Sequence, residues 1–479
     1  MSLTLLTDFY ALSMMQGYFL RGKNPPVVFD MFFRRQPFGG GFSVVAGIED
    51  AVSHITRVGF SPDDIAYLES LGTFRREFLD ALASFRFTGD VWAMDEGSLA
   101  FPGEPIVRVH APLVEAQLVE SALLAIVNFQ TLIATKAARI RLAANGGSLL
   151  EFGLRRAQGV DGALSAARAA FIGGAAATSN TLAGKRFGIP VRGTMAHSWI
   201  MAFASEREAF EKYAETYPDN CVLLIDTYDT LGSGIENAVA VGQGLTAAQK
   251  KRFGVRLDSG DLEYLSKKVR ERLDAAGLSE ARIVASNELD ENIIHQLVTR
   301  GAPIDVWGVG TNLVTGGSDP ALTGVYKIAA RRKNGEWIPT IKVSNNPEKV
   351  TIPGIKQVWR FLSREGSPLA DLVALEDEAL APGRPYTFHH PLGDYRSFTL
   401  EEYGSMRPLL GPKVKDGRPA CPFPPLAEVQ ARARREIDLL DDTYKRLINP
   451  HVYKVSLSAT LHELKARLIR ESLAKGTHA

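Results

Sequence analysis

The sequence predicts an α/β protein organised around a parallel sheet, and three observations predict it. From Ser148 onward, short apolar runs alternate with helical stretches, which is the alternation that βα units require. The runs are nearly continuous in apolar character, as strands buried on both faces are. Each run also ends in polar, charged or glycine residues, and in (β/α) barrels chemistry gathers on the loops after the C-terminal ends of the strands. A closed or nearly closed barrel accounts best for that placement, with an open doubly wound sheet as the rival.

The elements before this region predict an α+β N-terminal domain over residues 1–147. Thr7 or Asp8 is placed to cap a helix reaching Leu20, with Leu12, Met15 and Phe19 on its apolar side and Tyr10 in its first turn. A core aromatic with its hydroxyl at the surface is the plain alternative for Tyr10. Residues 27–35 read as a strand and Gly39-Gly40-Gly41 as a turn. Short strands follow near Val91 and at 106–109. A long helix over 114–144 then buries Leu118, Leu124, Ile133 and Ile140.

The barrel domain covers 148–324. Its runs are Leu149-Leu150-Glu151-Phe152, Ile189-Pro190-Val191, Val222-Leu223-Leu224-Ile225, Gly254-Val255-Arg256-Leu257, Ile283-Val284-Ala285 and Ile304-Asp305-Val306-Trp307. After them come Gly153 with Arg155-Arg156, Thr194 with His197, Asp226-Thr227-Tyr228-Asp229, Asp258-Ser259-Gly260-Asp261, Ser286-Asn287-Glu288 and Gly308-Val309-Gly310-Thr311-Asn312. Ile189-Pro190-Val191, broken by Gly193-Thr194 and followed by Ala196-His197-Ser198, reads as a buried strand, a tight turn and a helix start. Unpaired backbone N–H groups at such a corner favour a neutral imidazole at His197, able to act as nucleophile or base. A histidine packed under a loop is the alternative reading.

Beyond Leu322 the pattern changes. Residues 325–328 and 337–343 read as a hairpin across Lys333-Asn334-Gly335-Glu336, and 358–362 as a further strand, these strands rejoining the N-terminal sheet. Residues 363–479 read as a C-terminal helical extension: a Pro- and Gly-containing stretch at 381–425, then helices at 426–447 and 461–473. No catalytic constellation is evident there.

With 479 residues the chain has room for two or three cores. Its 23% charged residues balance to a formal net charge of +1, so no global field draws it to nucleic acid or an anionic membrane. Two cysteines, Cys221 and Cys421, make no disulfide framework and no metal spacing. The first residues lack the features of a signal peptide, and no apolar run approaches the ~20 residues that span a bilayer. These features predict a soluble cytoplasmic protein.

Two arginines, several aspartates, a histidine and a glycine turn at one sheet edge suit a sugar carrying phosphates. Arginine forks bind phosphate oxygens bidentately, and Gly308-Val309-Gly310-Thr311 offers backbone N–H groups to a terminal phosphate. Asp226 and Asp258 suit ribose hydroxyls or a Mg²⁺ bridging a diphosphate. Gly184-Lys185 is followed by Arg186 and does not complete a Walker loop.

Several separated motifs then agree: Thr7-Asp8-Phe9-Tyr10, Glu151-Phe152-Gly153-Leu154-Arg155-Arg156-Ala157, Thr178-Ser179-Asn180-Thr181-Leu182-Ala183-Gly184, Gly193-Thr194-Met195-Ala196-His197-Ser198, Asp226-Thr227-Tyr228 and Arg256-Leu257-Asp258-Ser259-Gly260-Asp261. Together they resemble nicotinate phosphoribosyltransferase, from about Leu5 to Leu362. The resemblance implies a type II phosphoribosyltransferase: an incomplete (β/α) barrel beside the N-terminal domain, in a homodimer with shared sites. It implies condensation of nicotinate with phosphoribosyl pyrophosphate, coupled to ATP hydrolysis, with Mg²⁺, in NAD biosynthesis. By motif match His197 is similar to the histidine phosphorylated by ATP, with Arg256 and Asp258 beside it in the catalytic set. Tyr10, from the other subunit, and Phe152 resemble the pair that sandwiches the pyridine. Arg155, Thr194 and Arg256 resemble contacts to nicotinate and phosphate, Asp226 and Asp258 those around ribose and Mg²⁺, and Gly310 and Thr311 the 5′-phosphate loop. Ser286 and Asn287 join the substrate-binding set. Asn180 stands where nicotinamide-using relatives carry an aspartate, which makes it a candidate for substrate choice, with an ordinary helix cap as the alternative. A nicotinamide phosphoribosyltransferase and a non-catalytic sugar-phosphate-binding barrel are the rival functions.

Overall fold

The computed structural model describes residues 3–393 and 396–476. The chain forms two compact units, Met1–Leu132 with Ala321–Ala479, and Ile133–Pro320.

The first unit contains a seven-stranded antiparallel sheet in the order Glu336–Pro339, Gly324–Lys333, Pro26–Phe33, Val107–Pro112, Asp90–Ala93, Gly411–Lys415, Arg418–Pro419. Alternate residues Val27, Phe29, Met31 and Phe33 enter its main core, as the two-residue period of a strand requires. The Phe29 ring stacks on Tyr326 at 4.6 Å, fixing the register of the central pair. The expected hairpin is present, and its turn residues Asn334 and Gly335 have φ of +53° and +88°, the left-handed pair that a type I′ turn demands.

The first helix spans Phe9–Leu20 and buries Leu12 and Met15, but Phe19 is exposed. Asp8 sits at its N-cap without capping it, because the Asp8 carboxylate accepts instead from the Ser121 hydroxyl at 2.6 Å. The long helix expected at 114–144 is two helices, Leu113–Leu118 and Glu120–Ala143, interrupted at Val119. By length and composition Glu120–Ala143 qualifies as a membrane span, contrary to the sequence expectation, yet 67% of its apolar window is buried within the protein. Such burial is that of a core helix.

The C-terminal part departs from the expected helical extension. Helices Leu426–Leu439 and Ala459–Gly476 are there, but residues 356–457 also build a second sheet, in the order Ser397–Leu400, Tyr386–His389, Val455–Leu457, Pro368–Leu375, Lys356–Leu362, Ser405–Pro408. Lys356–Leu362, expected in the N-terminal sheet, pairs with Pro368–Leu375 instead. The reason is a buried ion pair. Arg360 donates from Nε and Nη2 to the two oxygens of Asp371 at 2.9 and 2.6 Å, both side chains fully buried. Tyr453 adds a hydroxyl donor to Asp371 at 3.1 Å.

The second unit holds a six-stranded parallel sheet in the order Ala177–Thr178, Ser148–Glu151, Val306–Val309, Arg282–Ala285, Gly254–Leu257, Val222–Leu224. The ladder has two ends and is not a closed ring. The strand expected at 189–191 shrinks to a single parallel bridge between Thr178 and Val191, and Val191 is exposed rather than buried.

Asp371→Ala is expected to lower the free energy of unfolding by about 3–5 kcal/mol, because Arg360 stays buried without its bidentate partner. Urea titration followed by circular dichroism measures this, and a loss under about 1 kcal/mol contradicts it.

Candidate active site

Parallel pairing carries the C-terminal ends of all six strands of the second unit to one edge. Phe152-Gly153, Ser179, Asp226-Thr227, Asp258-Ser259, Ser286-Asn287 and Gly310-Thr311 form the corners there. A cleft of about 450 Å³ is lined by Phe152, Arg155, Ser179, Thr194, Arg256, Asp258, Ser286, Asn287, Gly310 and Thr311, among others. The strand-end rule thus locates the cleft from sequence alone.

Arg256 is its centre. The guanidinium donates from Nε to Ser286 Oγ at 2.8 Å, from Nη1 to Thr194 Oγ1 at 3.0 Å and from Nη2 to Asp258 Oδ1 at 2.7 Å. Its carbon lies 5.8 Å from the centre of the Phe152 ring. A fork held at three points cannot swing, so its charge stands fixed beside an aromatic face. Gly308 lets the ring settle there: a Cβ on Gly308 would come within 2.6 Å of it.

Asp258 is held from several sides. The Ser286 hydroxyl donates to Oδ1, and the Asp258 backbone N–H donates to Asp226 Oδ2 at 2.7 Å, which also accepts from Ser259 Oγ at 2.7 Å. Burial raises the Asp258 carboxyl, but the Ser286 hydrogen bond, Arg256 and His197 outweigh it and hold the group below its ordinary value. His197 opens the helix His197–Met201, as the sequence predicts. Its Nδ1 lies 3.0 Å from the Thr227 hydroxyl and its Nε2 3.8 Å from Asp258 Oδ2. The ring is half exposed, so it is open to a reactant.

Asp226 Oδ1 is buried and has no hydrogen-bond partner. A hard carboxylate oxygen left vacant next to Asp258 fits a divalent cation. Among the described residues no three carboxylate, histidine or cysteine side chains cluster as a ready-made cage. Mg²⁺ is commonly held by one or two carboxylates together with substrate phosphates, so two suffice.

Not every sequence candidate is gathered here. Asn180 does not line the cleft: it is buried, its Oδ1 accepts from Ala183 N at 3.1 Å as the cap of helix Thr181–Phe187, and its Nδ2 donates to Ala163 O. Its neighbour Ser179 lines the cleft in its place. Ser286 Oγ is consumed in tying Arg256 to Asp258, so its part is to position them. Tyr10 belongs to the first unit, where it is 49% exposed and its hydroxyl is pushed up to about 12 by burial and Glu120. Asn287 stands at φ +104°, a conformation L residues rarely adopt, at the corner where its strand ends. Thr227, Ser179 and Glu151 escaped the sequence reading as site residues although each lies inside a quoted motif.

A parallel α/β sheet whose strand ends present a fixed guanidinium, linked carboxylates, an aromatic face and a glycine corner defines an α/β protein with a polar cleft walled on one side by an aromatic ring. Known proteins agree along the whole chain. Residues 5–128 match the nicotinate phosphoribosyltransferase (NAPRTase) N-terminal domain, 148–353 the NAPRTase family and 355–465 the NAPRTase C-terminal domain. A Bacillus subtilis nicotinate phosphoribosyltransferase is 44% identical over 482 residues, covering 98% of this chain and 97% of that protein. The Homo sapiens nicotinate phosphoribosyltransferase is 35% identical over 520 residues, covering 96% and 95%. The crystal structure of human nicotinic acid phosphoribosyltransferase aligns with a TM-score of 0.83 at 33% identity, over 97% of this chain and 99% of that one. The chain belongs to the nicotinate phosphoribosyltransferase family.

A carboxyl depressed in the fold adds stability that is complete above its unfolded value near pH 4 and is lost as pH falls through its folded value. The melting-temperature gap between the native chain and Asp258→Asn is therefore expected to be widest at neutral pH and to shrink below about pH 4. Thermal melts across that range measure it, and a gap independent of pH contradicts it. Asn180→Asp keeps the cap, since both residues cap helices about equally, and is expected to change the nicotinate-to-nicotinamide ratio of kcat/KM less than about twofold. A larger swing would return Asn180 to the substrate-selecting set.

Proposed function

We propose that the chain joins nicotinate to 5-phosphoribosyl 1-pyrophosphate, forming nicotinate mononucleotide and pyrophosphate, with ATP hydrolysis coupled through His197. The observation that carries this reading is the Arg256 fork fixed beside the Phe152 ring. A planar aromatic acid needs a face for its ring and a cation for its carboxylate, and a rigid cation favours an acid over an amide.

Transfer builds positive charge at the sugar C1 as the bond to pyrophosphate breaks, so the protein's work is to orient the pyridine nitrogen and accommodate the leaving diphosphate. Phe152 aligns the ring, while Arg155 and Thr194 join Arg256 in meeting anionic groups. Gly310 and Thr311 take the 5′-phosphate at the start of Thr311–Val314. Asp226 and Asp258 would hold Mg²⁺, which when bound supplies countercharge to the diphosphate. At His197 a ring nitrogen bonds to the γ-phosphorus of ATP, ADP leaves, and water later releases the phosphate. Asp258, kept ionised, steadies the ring through the cycle.

The open parallel ladder with its Thr178–Val191 bridge supports reading the second unit as an incomplete (β/α) barrel. Exposed Leu3, Leu6, Phe9 and Tyr10 at the N-terminus support a homodimer in which Tyr10 faces the pyridine of the partner subunit. Two free cysteines, one of them exposed, suit the cytoplasm.

Pyrophosphate release with nicotinate or nicotinamide, each with and without ATP, tests the proposal: nicotinate is expected to be used, faster with ATP. Release with nicotinamide alone would overturn it. Incubation with γ-labelled ATP is expected to leave acid-labile label on the native chain and none on His197→Ala, which keeps basal transfer but loses stimulation by ATP. Full stimulation in that variant would remove His197 from the coupling step.

A further inference from the structure

Glu151 is 1% exposed, immediately precedes Phe152, and makes no ion pair among the described residues. Its two oxygens take different donors. Oε1 accepts from Gly153 N and Oε2 from the Thr178 hydroxyl, both at 2.5 Å. The Thr178 oxygen in turn accepts from Asn180 N at 2.9 Å, and the Glu151 carbonyl accepts from Ser179 N at 2.9 Å. Thr178 also bridges to Val191, its N–H donating to Pro190 O and its carbonyl accepting from Arg192 N. One side chain therefore ties the Phe152-Gly153 corner to the Ser179-Asn180 corner and to the segment leading to Thr194.

A buried carboxylate without a cation is costly, and burial pushes the Glu151 carboxyl up against the pull of its two hydrogen bonds. Stability alone gives no reason for a carboxylate in this place. Geometry does: the Gly153 N–H can only donate and the Thr178 hydroxyl already accepts from Asn180 N, so an ionised carboxylate accepts a hydrogen bond from each while glutamine turns an NH₂ toward one of them.

We propose that Glu151 is a positioning residue for the aromatic end of the cleft, its two oxygens setting the separation of Phe152 from Ser179 and hence the slot that receives the pyridine. This rests on the nicotinate phosphoribosyltransferase reading above. Among the described residues its side chain does not hydrogen-bond to Gly310 or Thr311, and it reaches that phosphate corner only through the Phe152 backbone, whose N–H donates to Val309 O at 2.8 Å.

Steady-state kinetics on the full chain carrying Glu151→Gln, Thr178→Val or both tests this, with melting temperatures recorded alongside. Glu151→Gln is expected to raise KM for nicotinate about tenfold while leaving KM for phosphoribosyl pyrophosphate within about twofold. Thr178→Val is expected to show the same split, and the double variant to fall well short of the product of the single effects, since both remove one shared hydrogen bond. A parallel rise in both KM values, or effects that multiply, overturns the proposal in favour of a merely structural role. If Glu151→Gln does not fold, Thr178→Val, which keeps the carboxylate, must show the split alone. A native chain inactive on nicotinate would refute the function itself, whereas an active native chain with an unchanged Glu151→Gln KM would refute only the positioning role.

Discussion

The position of one guanidinium governs the cleft. Arg256 is mostly buried, and a buried cation is tolerated only when its donors are satisfied in a fixed geometry. Three chain segments meet that demand, bringing Thr194, Asp258 and Ser286 within 3.0 Å of its nitrogens. Because a guanidinium is planar and its donors diverge, those segments have little freedom once the fork is seated. The loops of the cleft are therefore ordered by the charge they surround, before any ligand arrives.

The same logic extends outward in steps. Asp258, pinned by the fork, passes its backbone N–H to Asp226, and its second oxygen faces His197. Glu151 and Thr178 tie the corners that follow them to each other, as Arg256 and Ser286 tie the segments of Thr194 and Asp258. The site is two hydrogen-bonded brackets, one acidic and one basic at its core, built on neighbouring ends of a rigid sheet.

Much of this was legible in the residues. The strands of the second unit announce themselves as continuous apolar runs, and the polar residues after them mark the edge where the cleft lies. What resisted reading has physical causes. Ala177–Thr178 is two residues long, too short to show any period, so the Ser179 corner went unseen. Asn180 looked like a ligand because a cap and a ligand use the same side chain, and only coordinates say where its oxygen points. The second sheet of the first unit is only half legible: the strand carrying Arg360 reads from its apolar run, but its partner is interrupted by Asp371, which mimics surface and is buried because it has Arg360.

The sheet of the first unit carries a consequence for how the chain is made. Pro26–Phe33 pairs with Gly324–Lys333, and Asp90–Ala93 with Gly411–Lys415, partners separated by some three hundred residues of sequence. During synthesis the early strands leave the ribosome long before their neighbours exist, and non-local pairing is slow even in a finished chain. Ile133–Pro320, by contrast, is one uninterrupted stretch whose strands pair among themselves. The catalytic half can close on itself while translation continues, and the N-terminal strands must be kept from other nascent chains until the last third of the message has been read. Shortening the protein from its C-terminus would strip strands from the sheet that its first hundred residues began.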